Sequence, residues 1–156
     1  MQKTAARPWE WSPPASMNTI MAIWLRIPLL HRIVSKRLTL LSFTGRKSGH
    51  HYAIPVGYAR KDDTVIILTK RFRSWWRNFQ KAMPIDLWLE GKRRHGEAQA
   101  LIDETTMMPL VVEMLTQHPD DAQFYGIQPL SGDNPDLTEV RQIAPKLVVV
   151  RIKLTA

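Results

Sequence analysis

The sequence predicts an α+β fold in which an antiparallel β-barrel carries flanking helices. Two observations lead to this class: about six β-prone runs are separated by short polar turns, and helical patterns precede, interrupt and follow them. A third observation sets the size, because 156 residues with 44% hydrophobic composition suffice for one hydrophobic core. We therefore expect a single domain over residues 1–156, with a barrel of about six mainly antiparallel strands in residues 38–156.

The first 37 residues contain no β-prone run. Residues 1–16 hold three prolines and two tryptophans without a periodic pattern, which predicts an irregular arm. Residues 17–37 are the most apolar stretch, but Arg26 and Pro28 interrupt it, so it is shorter than the ~20 apolar residues of a membrane span. We predict an amphipathic helical segment that docks on the core, with an interfacial helix on an anionic membrane as the alternative.

Residues 38–58 predict a β-hairpin, because β-prone runs flank a turn with two glycines. Gly45 and Gly49 permit positive φ angles, which would arrange backbone N–H groups into a concave anion-binding nest. The turn also carries two cations and a hydroxyl, at Arg46, Lys47 and Ser48. These groups suit an anion, although a solvated turn explains them as well.

A turn at residues 61–63 leads to a strand at 64–69, whose consecutive apolar residues predict a central strand covered on both faces. Residues 70–81 mix arginine and lysine with four aromatic residues. This pattern fits single-stranded nucleic acid, but no recognised nucleic-acid module accompanies it, so we disfavour that partner. We predict instead a short helix capped by Ser74, with Trp75 and Phe79 facing the core.

The second half of the chain predicts a hairpin, a helix, a loop and a closing strand. The hairpin joins residues 85–90 to 97–102 by alternation of apolar and polar residues. The helix spans residues 103–118, with Pro109 in its first turn and four apolar residues at helical spacing: Met108, Val111, Val112 and Leu115. Residues 119–137 are loop-like, 137–144 add a helical turn or two, and 146–154 form the last strand.

Charge is unevenly distributed along the chain. Residues 1–95 hold 18 Lys and Arg against 5 Asp and Glu, whereas residues 96–156 hold 4 against 9. The basic surface of the first part attracts a polyanion, an anionic lipid or nucleic acid without choosing among them. Cysteine is absent, which excludes disulfides and thiolate sites and leaves a cytoplasmic location as our expectation.

No catalytic pattern stands out among the side chains. The five histidines are scattered, and His50 and His51 would face opposite sides of a strand, so we predict no metal site. A serine nucleophile at Ser48 or Ser74 lacks an identifiable base. If the protein is an enzyme, a bound cofactor is expected to carry the chemistry.

Five pieces of sequence in a fixed order resemble the deazaflavin (F420)-dependent nitroreductase family of quinone and nitro reductases. They are Thr44-Gly45-Arg46-Lys47-Ser48-Gly49, Pro55-Val56-Gly57-Tyr58, a strand that ends at Lys70, Trp75-Trp76-x-Asn78-Phe79, and the hairpin from Trp88 to Ala98. The likeness covers residues 38–118 and the closing strand. It implies a split β-barrel of the FMN-binding, pyridoxamine phosphate oxidase-like type.

The resemblance also implies a cofactor site and an activity. It places Arg46, Lys47, Ser48 and Gly49 at the phosphate or oligoglutamate tail of F420. It places Pro55 and Val56 beside the deazaflavin ring, Lys70 at the anionic side of the ring and Trp75 against the cofactor. Tyr125, or Phe124 beside it, loosely matches the aromatic residue at the acceptor site. The implied reaction is hydride transfer from reduced F420 to a quinone, a nitro compound or an activated alkene.

One departure from the family keeps an alternative open. Family members carry a glycine-rich insertion with a proline before the tryptophan, where this chain has only Arg71-Phe72-Arg73-Ser74. The alternative is a non-catalytic or FMN-, haem- or lipid-binding member of the same barrel. The expected partner is a small-molecule hydride acceptor. A peripheral membrane contact through residues 17–37 and a homodimer are further hypotheses.

Overall fold

The computed structural model describes residues 36–128 and 135–156. The arm predicted for residues 1–16 and nearly all of the helical segment predicted for 17–37 lie outside the described residues. In the described part, no helix is long and apolar enough to cross a membrane.

Seven strands form one antiparallel sheet, one strand more than the sequence predicts. The additional strand is the three-residue β3, which follows the first hairpin and ends at the predicted turn. The strands are β1 (Leu38–Thr44), β2 (His51–Gly57), β3 (Ala59–Lys61), β4 (Thr64–Lys70), β5 (Met83–Leu89), β6 (Lys92–Leu101) and β7 (Leu147–Leu154). Their order across the sheet is β2-β1-β5-β6-β7-β4-β3.

The sheet curls because its two edge strands are neighbours in the sequence. β2 and β3 lie at opposite edges of the sheet, yet only Tyr58 separates them along the chain. The edges must therefore meet, and β2 contacts β4 across the gap, which we call the seam. At the crossing, the amide of Tyr58 donates to the Arg37 carbonyl (3.1 Å), and the Tyr58 carbonyl lies 2.9 Å from His118 Nε2. The result is the predicted antiparallel barrel, open along one seam.

Alternating residues of the sheet build two cores on its two faces. The inner face fills the barrel with apolar side chains that include Leu41, Phe43, Ile67 and Val150. The outer face packs Ile66, Leu68, Leu147 and Val149 against the helices. β4 contributes to both cores, which confirms that it is covered on both faces.

Two α-helices and a 3₁₀ helix cover the outer core. Helix α1 (Glu104–Gln117) begins at Asp103, whose carboxylate accepts from the Thr106 amide, and α2 is Leu137–Ile143. Within the predicted loop, Pro119–Tyr125 forms a 3₁₀ helix. Pro109 lies in the second turn of α1 rather than the first, because the helix starts five residues before it. The buried face of α1 consists of Met107, Val111, Met114 and Leu115, so the predicted Met108 and Val112 lie beside that face.

The segment after β4 forms a 3₁₀ helix at Trp75–Phe79. Its buried residues are Trp76 and Phe79. Trp75 is half-buried, but it packs against the inner core and contacts the Phe79 ring, so both predicted residues face the core and Trp76 is the one that the prediction omits. A 3₁₀ helix has three residues per turn, so positions i and i+3 share a face instead of i and i+4. Ser74 precedes the helix but makes no side-chain cap.

Candidate cofactor site

Strand directions bring most of the predicted site residues to one end of the barrel. The β1–β2 turn, the ends of β4 and β6 and the starts of β5 and β7 lie at this end, since the ladders are antiparallel. We call it the basic end for the eight cations on these segments: Arg46, Lys47, Lys70, Arg71, Arg73, Arg77, Lys81 and Lys146. Acidic residues near these strand ends include Asp103 and Glu104, at the start of α1, and Glu97, which pairs with Pro84 near the start of β5. The basic end therefore attracts anions.

The β1–β2 turn is held by its own hydrogen bonds. The Gly45 amide donates to the His50 carbonyl (2.8 Å), and the Gly49 amide donates to the Gly45 carbonyl (2.9 Å). Gly49 has a φ of 67°, as predicted. Gly45 does not have a positive φ, so the two-glycine nest is wrong at that position. Glycine leaves the space there, because a Cβ would lie 2.6 Å from Ser48 Oγ and 2.7 Å from the Tyr52 ring, so those side chains would have to shift.

Side chains in the turn are arranged around a hydroxyl pair. Ser48 Oγ accepts from the His50 amide at 3.2 Å and lies 3.1 Å from the Tyr52 hydroxyl. Arg46 and Lys47 are exposed beside this pair. The turn thus presents two exposed cations on a hydrogen-bonded backbone, an arrangement that suits a phosphate or carboxylate group.

Asn78 fixes the turn against the Trp75–Phe79 helix. Its Oδ1 accepts from the amide of Arg46 at 3.0 Å, and its Nδ2 donates to the Trp75 carbonyl at 2.8 Å. Sequence reasoning included Asn78 in the family pattern but gave it no role. A contact between residues 32 positions apart leaves no periodic signal that could have revealed it.

Trp75 and Val56 lie at the margin of the inner core. Both are half-buried and pack against the barrel interior, as does Ile54. Trp75 also meets Phe79 edge to face, with ring centroids 6.0 Å apart. Pro55 lies on the edge strand β2, where its missing N–H costs little. An apolar margin of this kind can receive one face of a flat ring.

Lys70 and Tyr125 line a cavity of about 300 Å³, which we call the Tyr125 cavity. Its other lining residues come from the turn after β4 and from the segment before β7: Arg71, Phe72, Ile143, Pro145, Lys146 and Leu147. The Tyr125 hydroxyl donates to the Leu68 carbonyl (3.1 Å), and burial raises the pKa of this phenol. Burial, and then the charge of Arg73, lowers the pKa of Lys70.

The predicted residues thus form two groups, with a third pair farther along β2. The turn residues and Trp75 are joined through Asn78, whereas Lys70 and Tyr125 share the cavity. Pro55 and Val56 pair with Leu40 and Thr39, toward the far end of β1. A ligand that contacts all of them must be extended, because a strand rises about 3.3 Å per residue and Gly49 lies six residues from Pro55.

A second hollow, of about 350 Å³, lies on the outer face of β1, β5 and β6. Ser42 and His51 are hydrogen-bonded there at 2.7 Å, an interaction that sequence reasoning did not find. Asp86 does not complete a triad, because its carboxylate binds Arg93 and His95 instead. β1 is paired on both sides, so its amides near Ser42 serve the ladders and not an oxyanion.

Comparison with known proteins supplies a family. A family model described as F420H(2)-dependent quinone reductase matches residues 26–124, which include every predicted cofactor residue. Tyr125 lies one position beyond the match. No curated protein sequence matches the chain.

Solved structures share the fold at low sequence identity. A protein of unknown function from Agrobacterium tumefaciens is 16% identical with a TM-score of 0.55 over 97% of this chain, which spans 60% of that protein's length. A Clostridium acetobutylicum protein related to general stress protein 26, of the pyridoxinephosphate oxidase family, is 14% identical with a TM-score of 0.51 over 83% of each chain. A general stress FMN/FAD binding protein from Xanthomonas citri is 14% identical with a TM-score of 0.50, over 92% of this chain and 87% of that one. The predicted split β-barrel is confirmed.

Proposed function

The chain belongs to the F420H(2)-dependent quinone reductase family, and we propose that it binds reduced F420 at the basic end and reduces a quinone, a nitro compound or an activated alkene. Membership supports an F420-dependent oxidoreductase in general. The individual acceptors and the site residues are our proposal.

The observation that carries the proposal is the fixed position of a cationic turn beside a half-buried tryptophan. Asn78 bonds both the Arg46 amide and the Trp75 carbonyl, so cations for an anionic tail and an aromatic face for a ring are held together. A phosphate with an oligoglutamate tail would meet Arg46, Lys47 and Ser48. The sign of charge at the basic end favours such a tail over a neutral ligand.

The residues of this chain would then bind and orient two partners. When bound, reduced F420 supplies the hydride. Val56 and Trp75 would give the ring an apolar surface, and Pro55 would shape the edge of β2 beside it. Lys70, at the end of β4, would face the anionic side of the ring. Holding donor and acceptor in contact is the main contribution of such a protein to the rate.

The Tyr125 cavity is the acceptor site in this proposal. Lys70 belongs to the cavity lining, so the cavity adjoins the residues proposed for the cofactor. The Tyr125 hydroxyl already donates to Leu68, and its pKa is raised by burial, so this residue would act as an aromatic wall and not as an acid.

A fluorescence titration with F420 and with FMN, at two salt concentrations, tests the proposal. We expect F420 to bind more tightly than FMN, and its affinity to fall with salt. The double variant Arg46→Ala/Lys47→Ala should weaken F420 binding roughly tenfold or more, since two charge-assisted contacts are lost. The matched control is Lys92→Ala/Arg94→Ala, which removes the same charge from exposed positions at the opposite end of the barrel.

Equal losses in both double variants would mean that only net charge matters and that the site is misplaced. Tighter binding of FMN would favour the alternative, an FMN-binding barrel like the Xanthomonas citri protein. The cytoplasmic location, the membrane contact of residues 17–37 and a homodimer stay predictions from the sequence.

A further inference from the structure

Arg71 holds a buried hydrogen-bond donor without a partner. Its Nε is buried and makes no hydrogen bond among the described residues, while Nη2 donates to the Ile102 carbonyl at 3.3 Å. A guanidinium is charged at every physiological pH, so a buried N–H of this group is costly to leave unsatisfied. Such a group indicates a partner beyond the described residues.

Arg71 is also part of the lining of the Tyr125 cavity. The amide of Arg71 donates to the Lys146 carbonyl at 2.7 Å, which anchors the residue where β4 ends and β7 begins. The backbone is therefore fixed, and a ligand in the cavity would meet Nε only if the side chain turns about its own bonds, which exchanges the Nη2 bond to the Ile102 carbonyl for bonds to the ligand. Nε and one Nη then form the planar fork that matches a carboxylate.

The remaining lining of the cavity is largely apolar. Tyr125, Ile143, Pro145 and Leu147 provide an aromatic and aliphatic wall, and Phe72 is exposed beside it. The volume of about 300 Å³ lies at the lower end of the range for small-molecule pockets and suits one or two fused rings. Lys70 and Lys146 add positive charge to the lining. The cavity lining thus combines apolar side chains with three cationic residues.

We propose that the hydride acceptor of this protein is a small apolar ring compound bearing a carboxylate, and that Arg71 binds this carboxylate in the Tyr125 cavity. The proposal rests on the proposed function, because it identifies the substrate class of that reductase. It assigns Arg71 a role in specificity that the family resemblance does not give it. A neutral acceptor of the same shape would leave the guanidinium unsatisfied and would be discriminated against.

Calorimetric titration of the protein without F420 tests the cavity chemistry directly. The probes are 2-naphthoate and the uncharged isostere 2-naphthamide. We expect 2-naphthoate to bind at least tenfold more tightly, because it gains a charge-assisted bidentate contact. Arg71→Met keeps an unbranched side chain and should abolish the preference, and Arg71→Lys should lose most of it. Arg77→Met is the control, because Arg77 is an exposed arginine of the same end and is not part of the cavity lining.

Three results would overturn the proposal: no preference for 2-naphthoate in the native protein, a preference that survives in Arg71→Met, or an equal loss in Arg77→Met. Retained binding of 2-naphthamide shows that a variant still forms the cavity. Competition places the anion in the acceptor site: 2-naphthoate must compete with a naphthoquinone in the oxidation of F420H2, and non-competitive inhibition would overturn the substrate assignment. Failure of F420 to bind would contradict the proposed function. The preference for 2-naphthoate over 2-naphthamide would still show whether Arg71 binds a carboxylate in the cavity.

Discussion

Asp86 joins the two strands of the β5–β6 hairpin through its carboxylate. Arg93 Nη2 donates to Oδ2 at 2.5 Å, and His95 Nδ1 contacts Oδ1. The hydrogen bond from Arg93 is the largest cause, and together with His95 it holds the pKa of Asp86 below its ordinary range. Arg93 also lies 5.6 Å from the centre of the Trp88 ring, which limits its freedom. One carboxylate therefore organises the outer face of the hairpin.

Asp86→Asn should lower the free energy of unfolding at pH 7 by about 1 kcal/mol, the scale of a largely solvated ion pair. Because the pKa of Asp86 is lowered on folding, its contribution is present above the carboxyl pKa of the unfolded chain, about 4, and is lost as the pH falls below it. Urea unfolding at pH 7 and pH 3 should show a smaller difference in Asp86→Asn than in the native protein.

Glu97→Gln provides the control for this prediction. Glu97 lies on the same outer face, two residues along β6 from His95 and opposite Pro84, and its neutralisation removes an equal charge. An identical change in pH dependence in both variants would contradict a specific role for Asp86.

At the scale of elements, the Trp75–Phe79 helix and the β1–β2 turn act as one unit through Asn78. Replacing Asn78 by Ala removes both of its hydrogen bonds. We expect amide exchange in residues 44–51 to accelerate roughly 5- to 10-fold, because one hydrogen bond contributes about 1 kcal/mol. Hydrogen exchange followed by mass spectrometry measures this change, with a peptide from β7 as the internal reference.

Asn78→Asp is the informative companion variant. Its carboxylate can still accept from the Arg46 amide but cannot donate to the Trp75 carbonyl. Exchange in the turn should lie between those of the native protein and Asn78→Ala. No acceleration in either variant would show that the turn is held by its internal bonds alone.

The other edge of the sheet is protected by a side chain. Gln117, the last residue of α1, accepts from the Arg60 amide at 3.2 Å and donates to the Arg60 carbonyl at 3.0 Å. Its amide thus takes the place of a neighbouring strand on β3. Three-residue β3 would otherwise present these groups to water or to another chain.

Elements with a clear period were predictable, and elements set by long-range contacts were not. The alternation of 85–90 and the apolar run of 64–69 gave the correct strands, because burial on one or two faces dictates those patterns. β3 was not predicted because three residues are too few to show a period. Trp76 was missed because an α-helical period was applied to a 3₁₀ helix.

The proposed site was less predictable from the sequence than the fold was. Glycine and cation chemistry indicated the turn at 45–49, which the structure places at the basic end. The resemblance supplied Lys70 and Tyr125, which line one cavity. Asn78 matters because it bonds the Arg46 amide, 32 residues away in the sequence. Arg71 matters because its buried Nε has no hydrogen-bond partner among the described residues. No local sequence pattern indicates either property.

At the scale of the whole molecule, the two cores share one sheet. Val149 and Val150 are adjacent in β7, both fully buried, and point into the outer and inner core respectively. Since β7 carries side chains of both cores, loss of order in one core would disturb the strand ladders that also support the other core. The described part of the chain should therefore unfold in one cooperative step.

Val149→Ala and Val150→Ala test this cooperativity as a matched pair. Each should lower the free energy of unfolding by about 2 kcal/mol, from lost burial and the cavity left behind. In urea, tryptophan fluorescence and far-UV circular dichroism should shift together in both variants. Separate midpoints for the two probes in either variant would show that the cores unfold independently.

The seam has a mechanical consequence. All ladders among the described strands run the long way round the sheet, from β2 through β1 to β3, and none of them joins β2 to β4 or β3. The seam can thus widen while each ladder stays intact, and Tyr58 is the covalent link between the two edge strands. Among the described strands, entry of a bulky ligand along β2 then breaks no ladder, and the chain at residue 58 limits how far the seam can open.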